Sequence, residues 1–505
     1  MKPPRRNIYS FILLLTLALL SVAVSALPNS GKGKVANPGE NDSSQLHEKY
    51  FTNHQYDGTT SCLECHTLEA NDVLVTGHWK WQGIAENIVD VEQQVHGKND
   101  IINNFCVAVP TNEGRCSQCH IGYGYKDKDF DFTDTTKIDC LVCHDQTGTY
   151  SKGATSAGLP DPAVDLQAVA KSVSDNNGVP GRLNCIFCHA NAGGGDNVKH
   201  GDLAMSIADT SREYDVHLGT DGANMNCVDC HDVDRNQAGK PVSHGIGGMP
   251  FHSVEEGSMK QCVDCHQNPS RIHRGKTSKM VKTHNRLSCQ VCHIPAIARE
   301  TSTKVEWYWS DAGQDLEVIP VDPITGRPTY DKKKGTFVWA LDVRPTLRFH
   351  NGTWNKMMIN VNDAFDHEPV DLGSPVGDRN DPEAMIYPFK KMIGNQVADA
   401  QNNTMNVPHL FGLAGGDYPY WAFYDWDLAL RDGAVYSGQD YSGEFKFVNT
   451  EMLLAVNHEI APKEKALGYN NNCQDCHAEG LIDWPALGLD EDPYKAKKKG
   501  KGRNK

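Results

Sequence analysis

Long apolar runs are almost absent from this 505-residue chain. Beyond the first 26 residues nothing approaches the ~20 consecutive apolar residues that span a bilayer, which excludes a polytopic membrane protein. Apolar side chains make up only 39% of the sequence and aromatics 8%, with a mean hydropathy of −0.52. That is little material for a conventional core of this length, unless a bulky cofactor supplies part of the buried apolar surface. Basic residues are outnumbered, 49 to 64, for a formal charge of −15. Removing residues 1–26 with Lys2, Arg5 and Arg6 takes this to −15 − 3 = −18. Nucleic acid is thereby excluded as a partner. No regular 20–50-residue period marks a solenoid. The Gly193–Gly195 and Gly245–Gly248 stretches lack the Lys-Ser/Thr of a phosphate loop; close backbone approach is the better reading.

The N-terminus has the layout of a Sec-type signal peptide. Lys2, Arg5 and Arg6 precede an apolar stretch from Phe11 to Val24 that ends in Val24-Ser25-Ala26. A periplasmic or extracellular location is expected, with no transmembrane span in the mature chain.

Cysteine is abundant. Sixteen of the 17 cysteines fall into eight copies of C-x-x-C-H: Cys62/Cys65/His66, Cys116/Cys119/His120, Cys140/Cys143/His144, Cys185/Cys188/His189, Cys227/Cys230/His231, Cys262/Cys265/His266, Cys289/Cys292/His293 and Cys473/Cys476/His477. The spacing has a mechanical meaning. Two thiols one turn apart add to the two vinyl groups of one haem, and the next histidine lies under the iron. A disulfide framework or paired zinc sites would explain the cysteines but not the eight histidines. Eight covalently bound haem c groups are expected.

Fourteen histidines lie outside the motifs: His47, His54, His78, His96, His200, His217, His244, His252, His273, His284, His350, His367, His409 and His458. They can supply second axial ligands for the irons. His284 lies five residues before Cys289, and His458 precedes the isolated eighth motif. A pure electron carrier needs every iron six-coordinate. An enzyme needs one iron with a weak or unusual sixth ligand, fed by the others. No motif is of the CxxCK kind, so the motifs alone do not choose. Cys106 is the cysteine left over, either an inert or intermolecularly paired thiol or one lining a pocket. After motif three, Asp145, Tyr150 and Lys152 bring an acid, a phenol and an amine near a haem.

Along the chain, 1–26 reads as signal peptide and 27–46 as flexible leader. Residues 47–300 hold seven motifs and form a haem-dense domain. Residues 301–460 are free of motifs and wrap the haems, 461–490 form the eighth haem site, and 491–505 are a basic disordered tail. Within 301–460, Thr336–Ala340 and Thr346–Phe349 read as strands, and Glu451–Asn457 as a helix leading to His458.

Several stretches carry a closer likeness: Gly77-His78-Trp79-Lys80-Trp81, Ile102 to Pro110 around Cys106, His120 to Asp127, Cys143 to Tyr150, Val198 to Leu203, Asp215-Val216-His217 and Cys292 to Arg299. In these the sequence resembles the octahaem tetrathionate reductase family of periplasmic c-type cytochromes. The resemblance implies a mainly α fold with few strands and much irregular loop, organised around a close-packed chain of eight haems. It implies that Lys152 is the distal ligand of the haem on Cys116/Cys119/His120, with Cys106 and Asp145 as pocket residues. Position and resemblance together name His47, His78, His200, His217, His244, His284 and His458 as the other distal ligands, with His273 as first substitute. The implied activity is multi-electron reduction of a small sulfur or nitrogen oxyanion (tetrathionate, nitrite, hydroxylamine), fed by a redox partner such as a membrane quinol dehydrogenase or small cytochrome. A non-catalytic electron-transfer cytochrome or extracellular conduit, and a hydroxylamine-type oxidase, are the alternatives.

Overall fold

Each C-x-x-C-H segment makes a single helical turn, because cysteines three apart on a helix share a face. In five motifs the histidine N–H closes the turn on the carbonyl of the first cysteine: His66 on Cys62 (2.9 Å), His144 on Cys140 (3.1 Å), His231 on Cys227 (2.9 Å), His266 on Cys262 (2.8 Å) and His477 on Cys473 (2.9 Å). In motifs four and seven the whole motif lies within a helix, Arg182–Asn191 and Cys289–His293. Motif two departs from this. Its turn tightens to a 3-10 helix, Ser117–Cys119, and the His120 N–H bonds Ser117 O instead (2.9 Å).

The computed structural model describes residues 43–91, 93–231, 233–235, 241–248, 259–412 and 418–495. The expected signal peptide, nearly all of the leader, His252 and the tail past 495 lie outside the described residues. Among the described residues no helix is long and apolar enough to cross a membrane.

Two small antiparallel pairs lie among the motifs, β1 (Gln82–Ile84) with β2 (Val95–Gly97) and β3 (Val233–Arg235) with β4 (Pro241–Ile246). The motif-free stretch builds an eight-stranded mixed sheet. Its strands are β5 (Thr303–Tyr308), β6 (Tyr330–Asp331), β7 (Gly335–Ala340), β8 (Thr346–His350), β9 (Trp354–Lys356), β10 (Val370–Pro375), β11 (Met385–Asp399) and β12 (Phe445–Ala455). The order is β6-β7-β5-β11-β12-β10-β9, with β8 on the first residues of β11. This is more strand than the expected few. The segment read as a helix, Glu451–Asn457, is the end of β12 and the residues just after it. Glu-Met-Leu-Leu-Ala has good helix propensity, but there it lies between β11 and β10 with Met452, Leu453 and Leu454 buried. Burial on both faces of a central strand outweighs local preference.

The helix Trp426–Ser437 covers the sheet with Trp426, Ala429 and Leu430, packed with Trp307, Trp309 and Met392. Asp425 caps its start, accepting from Leu428 N (3.1 Å), and Gly438 in the left-handed region ends it. Gly433 lets this helix lie directly on the 407–409 backbone: a methyl there would overlap the Val407 carbonyl oxygen. Gly433→Ala is expected to cost about 2 kcal/mol by overpacking. Thermal unfolding of the variant checks this, and an unchanged midpoint would show that the helix can lift off freely.

Candidate functional site

Seven of the eight motif histidines stand opposite a second histidine. Ring centres are 5.8 Å apart for His47/His66, 6.1 Å for His78/His189, 6.0 Å for His144/His244, 5.9 Å for His217/His266, 6.2 Å for His231/His458, 6.0 Å for His273/His293 and 6.3 Å for His284/His477. Ordinary aromatic pairs scatter over about 4.5–7 Å. These seven fall within 0.5 Å of one another (6.3 − 5.8), and each joins one motif ring to one outside ring. A metal about 2 Å from an imidazole nitrogen lies about 3 Å from the ring centre. Two rings on opposite sides of one iron therefore stand about 6 Å apart.

The ring nitrogens are prepared for this. His144 Nδ1 donates to Gly178 O (3.1 Å), His231 Nδ1 to Gly247 O (2.7 Å), His273 Nδ1 to Pro269 O (2.8 Å) and His284 Nδ1 to Met280 O (2.9 Å). His477 Nδ1 pairs with Asp492 Oδ1 at 2.7 Å. A proton fixed on Nδ1 leaves the Nε2 lone pair for a metal. Burial pushes His144 down to about 4 and holds His189, His231 and His293 below the usual range, so these rings are neutral, as ligation requires. Among the described residues no three His, Cys, Asp or Glu side chains converge as a bare metal site. Donors that come in twos leave the remaining positions to a macrocycle, and all the motif cysteines are free to hold one. The residues fit haem c.

Cys65 and Cys265 mark the open end of the range of exposure among the motif cysteines. Both thiols are exposed, and so are His66 and His266 beside them. The cause is local. The turns Thr60–Leu63 and Cys262–Cys265 bury none of their residues, and the exposed acids Glu64 and Asp264 occupy the places between the paired cysteines, where a charge keeps its water. Cys262, Cys289 and Cys473 are exposed as well, whereas the cysteines of motifs two to five are all at least half-buried. The attachment points thus run from sheltered ones around motifs two to five to open ones at motifs one and six.

His458 is placed by a carboxylate. Asp202, 1% exposed, accepts from Asn457 N (2.7 Å) and His458 N (2.9 Å), with His458 Nδ1 3.4 Å away. Chain order misleads here. His458 faces His231 of motif five, not the eighth motif that follows it. His284 faces His477 of the eighth motif, although it immediately precedes the seventh.

His120 is the exception. Its ring packs among Trp79, Trp81 and Tyr125, each with its centre 5.1 Å away. His120 Nε2 donates to Trp79 O (2.6 Å), and Nδ1 is buried with no hydrogen-bond partner among the described residues. Beside the same turn lies Lys152, its side chain fully buried. Its Nζ donates to His120 O (2.5 Å) and pairs with Asp139 Oδ2 (2.8 Å). The amine thus meets the His120 backbone rather than its ring. Tyr123 and Tyr150 donate to the two Asp139 oxygens at 2.9 and 2.6 Å. Burial and then the Asp139 charge hold both phenols far above the usual range, so they stay protonated.

The other expected residues do not contact the Lys152 amine among the described hydrogen bonds and ion pairs. Asp145 accepts from Thr147 N (2.9 Å) and Tyr150 N (3.1 Å), a local turn, and the carboxylate on Lys152 is Asp139. Asp139 stands directly before Cys140, a signal that was open to the sequence. Cys106 packs against the sheet, and burial lifts its thiol above the usual range while Lys334, Lys304, Arg115 and Lys98 pull the other way. His200 stands opposite no motif ring among the described ring contacts. His273 does, opposite His293.

Comparison with known proteins places the chain in a family. The family described as bacterial cytochrome c matches residues 304–480. An uncharacterised protein of Archaeoglobus fulgidus is 26% identical over 284 residues, taking in 46% of this chain and 93% of that one. The crystal structure of octahaem cytochrome c from Shewanella oneidensis superimposes with a TM-score of 0.77 and 39% identity, over 92% of this chain and 99% of that one. The chain therefore belongs to the octahaem c-type cytochrome family and binds haem c covalently.

Proposed function

We propose that the protein carries eight haems and reduces a small sulfur or nitrogen oxyanion in the periplasm, with motif two as the reaction site and Lys152 as its releasable ligand. The observation that carries this reading is the contrast among the motifs. Seven histidines face a second histidine, whereas His120 faces none and has a buried lysine beside it. Bound haem supplies an iron that can accept the oxyanion and pass it electrons.

The chain's own residues do the rest. The seven histidine pairs would each hold one haem iron between two rings, which would keep those centres rigid during electron transfer and closed to substrate. Cysteines of different motifs lie close together. Free thiols of Cys62 and Cys140, Cys119 and Cys188, Cys185 and Cys227, and Cys262 and Cys289 lie within hydrogen-bonding reach of each other. Motif two is thus a neighbour of motif four, and through it of motif five, while motifs one and three, and motifs six and seven, form two further pairs. Asp139, held by Tyr123 and Tyr150, offers Lys152 a resting place off the iron, and the two phenols carry exchangeable protons at that edge. Tetrathionate takes two electrons and nitrite six, and a bank of relay haems can deliver either. A membrane quinol dehydrogenase or small cytochrome would refill it, at the open motifs of Cys65 and Cys265.

The oxidised wild type and Lys152→Ala are compared by EPR and near-infrared magnetic circular dichroism, with and without nitrite and tetrathionate. A His/Lys signal absent from the variant, and a ligand-induced shift confined to one haem, are expected. Eight His/His signals unmoved by ligand or substitution would make the protein an electron conduit.

A further inference from the structure

A cavity of about 500 Å³ opens between the motif-two turn, the loop after Lys152 and the turn joining β6 and β7. Arg115, Lys333 and Lys334 line it, with Asp331 as the one carboxylate and Trp421 and Phe411 as apolar wall. Its formal charge is +3 − 1 = +2, on a chain of −15. Lys334 pairs with Asp331 at 3.1 Å. Lys333 is exposed, its ammonium 5.8 Å from the Trp421 ring centre. Arg115 sits next to Cys116, and its Nη1 donates to Ala154 O, two residues past Lys152 (2.6 Å). The cavity therefore touches both the turn that carries His120 and the loop that carries Lys152.

A buried amine lies further inward. Lys304 lies behind Lys334, its ammonium 3.4 Å from the Phe337 ring centre and 4.1 Å from that of Trp307. No carboxylate hydrogen-bonds it among the described residues, and burial followed by the Lys334 charge pushes it down to about 7. Fixed cations in a walled cavity focus field lines and raise the local concentration of anions. On a protein whose net charge repels anions, such a patch has to be built locally.

We propose that this cavity is the port through which a small inorganic oxyanion reaches motif two, with Arg115, Lys333 and Lys334 selecting it by charge. The assignment rests on the reductase reading for its purpose, but anion binding there can be measured without turnover. Sulfate, an anion that takes no electrons here, is titrated calorimetrically into the oxidised holoprotein at low ionic strength. Wild type is expected to bind one sulfate, and the K333E/K334E double variant at least about tenfold more weakly, the two reversed charges each opposing the anion. The neutral K333Q/K334Q pair, which avoids repulsion at Asp331, should show a smaller loss in the same direction. Equal affinity in all three proteins, or no sulfate bound by wild type, would overturn the port. Nitrite and tetrathionate turnover, assayed alongside, separates the two claims. Charge-dependent sulfate binding without turnover sinks the reductase and leaves the port; turnover with charge-independent binding does the reverse.

Discussion

Asp202→Ala is expected to destabilise the protein by about 4 kcal/mol and to disturb the electronic signature of one haem. The wild-type carboxylate is buried and accepts two backbone N–H groups, from Asn457 and His458. Each donor left unmet in the interior costs about 1–3 kcal/mol, and Asp215, which accepts from Ile460 N at 3.0 Å, anchors the same segment two residues further on. The same carboxylate faces His458 Nδ1, so its loss also frees the ring that stands opposite His231. Asp202→Asn keeps an acceptor oxygen and should lose about half as much. Unfolding midpoints and EPR of the oxidised holoprotein check both parts. A stable Asp202→Ala protein with an unaltered spectrum would show that His458 is held by its strand alone.

Raising the pH from 5 to 8 is expected to remove about 3 kcal/mol of stability through one residue, Glu113. Its side chain is buried. Tyr436 donates to Oε1 (2.9 Å), and Oε2 has no partner among the described residues. Burial raises the carboxyl from 4.5 to about 7, with the Tyr436 bond opposing and the Asp127 charge adding to the rise. The folded state thus holds its proton to higher pH than the unfolded state does. The stabilisation is complete below the unfolded pKa and is lost as pH rises through about 7. The gap from 4.5 to about 7, at about 1.36 kcal/mol for each pH unit, gives the magnitude. Glu113→Gln keeps the Tyr436 bond and removes the titration. It should match wild type at pH 5 and exceed it at pH 8 in denaturant unfolding. Parallel pH profiles for the two proteins would refute the assignment.

The covalent attachment points could be read from sequence because a haem thioether pair demands a local spacing, and a local spacing survives any fold. Their burial could not: Cys65 and Cys265 carry the same motif as Cys119 and Cys188, yet only the latter two are sheltered, because shelter comes from neighbours and not from the motif. The distal partners were hidden too, because they are set by where distant segments return. Position in the chain put His284 near motif seven and His458 near motif eight, yet the rings they face belong to motifs eight and five. His273, not His200, stands opposite a motif ring among the described ring contacts for the same reason. Lys152 was singled out by likeness alone, and the carboxylate it meets, Asp139, was passed over in favour of Asp145, which is nearer in sequence but engages its own loop instead. The sheet was glimpsed in Thr336–Ala340 and Thr346–Phe349, where β-branched and aromatic residues gather. Its central strand β12 carries a helix former's composition and is a strand only because β10 and β11 flank it.

The His231–His458 pair has a consequence for how the molecule is assembled. On the proposed ligation, each iron closes a loop in the chain, as a crosslink would. His47/His66 and His273/His293 close short loops that can form as soon as their own residues are in place. His78/His189, His284/His477 and above all His231/His458 close long ones, and the entropy of waiting grows with the length to be gathered. A haem held on motif five would lack its second histidine until β12 has joined the sheet and Asp202 has received the residues beyond it, and until then its iron would be open to any small ligand present. The motif-free third of the protein thus acts as the closing latch on a centre begun more than two hundred residues earlier (458 − 231 = 227), and insulation of the wire is among the last things folding delivers.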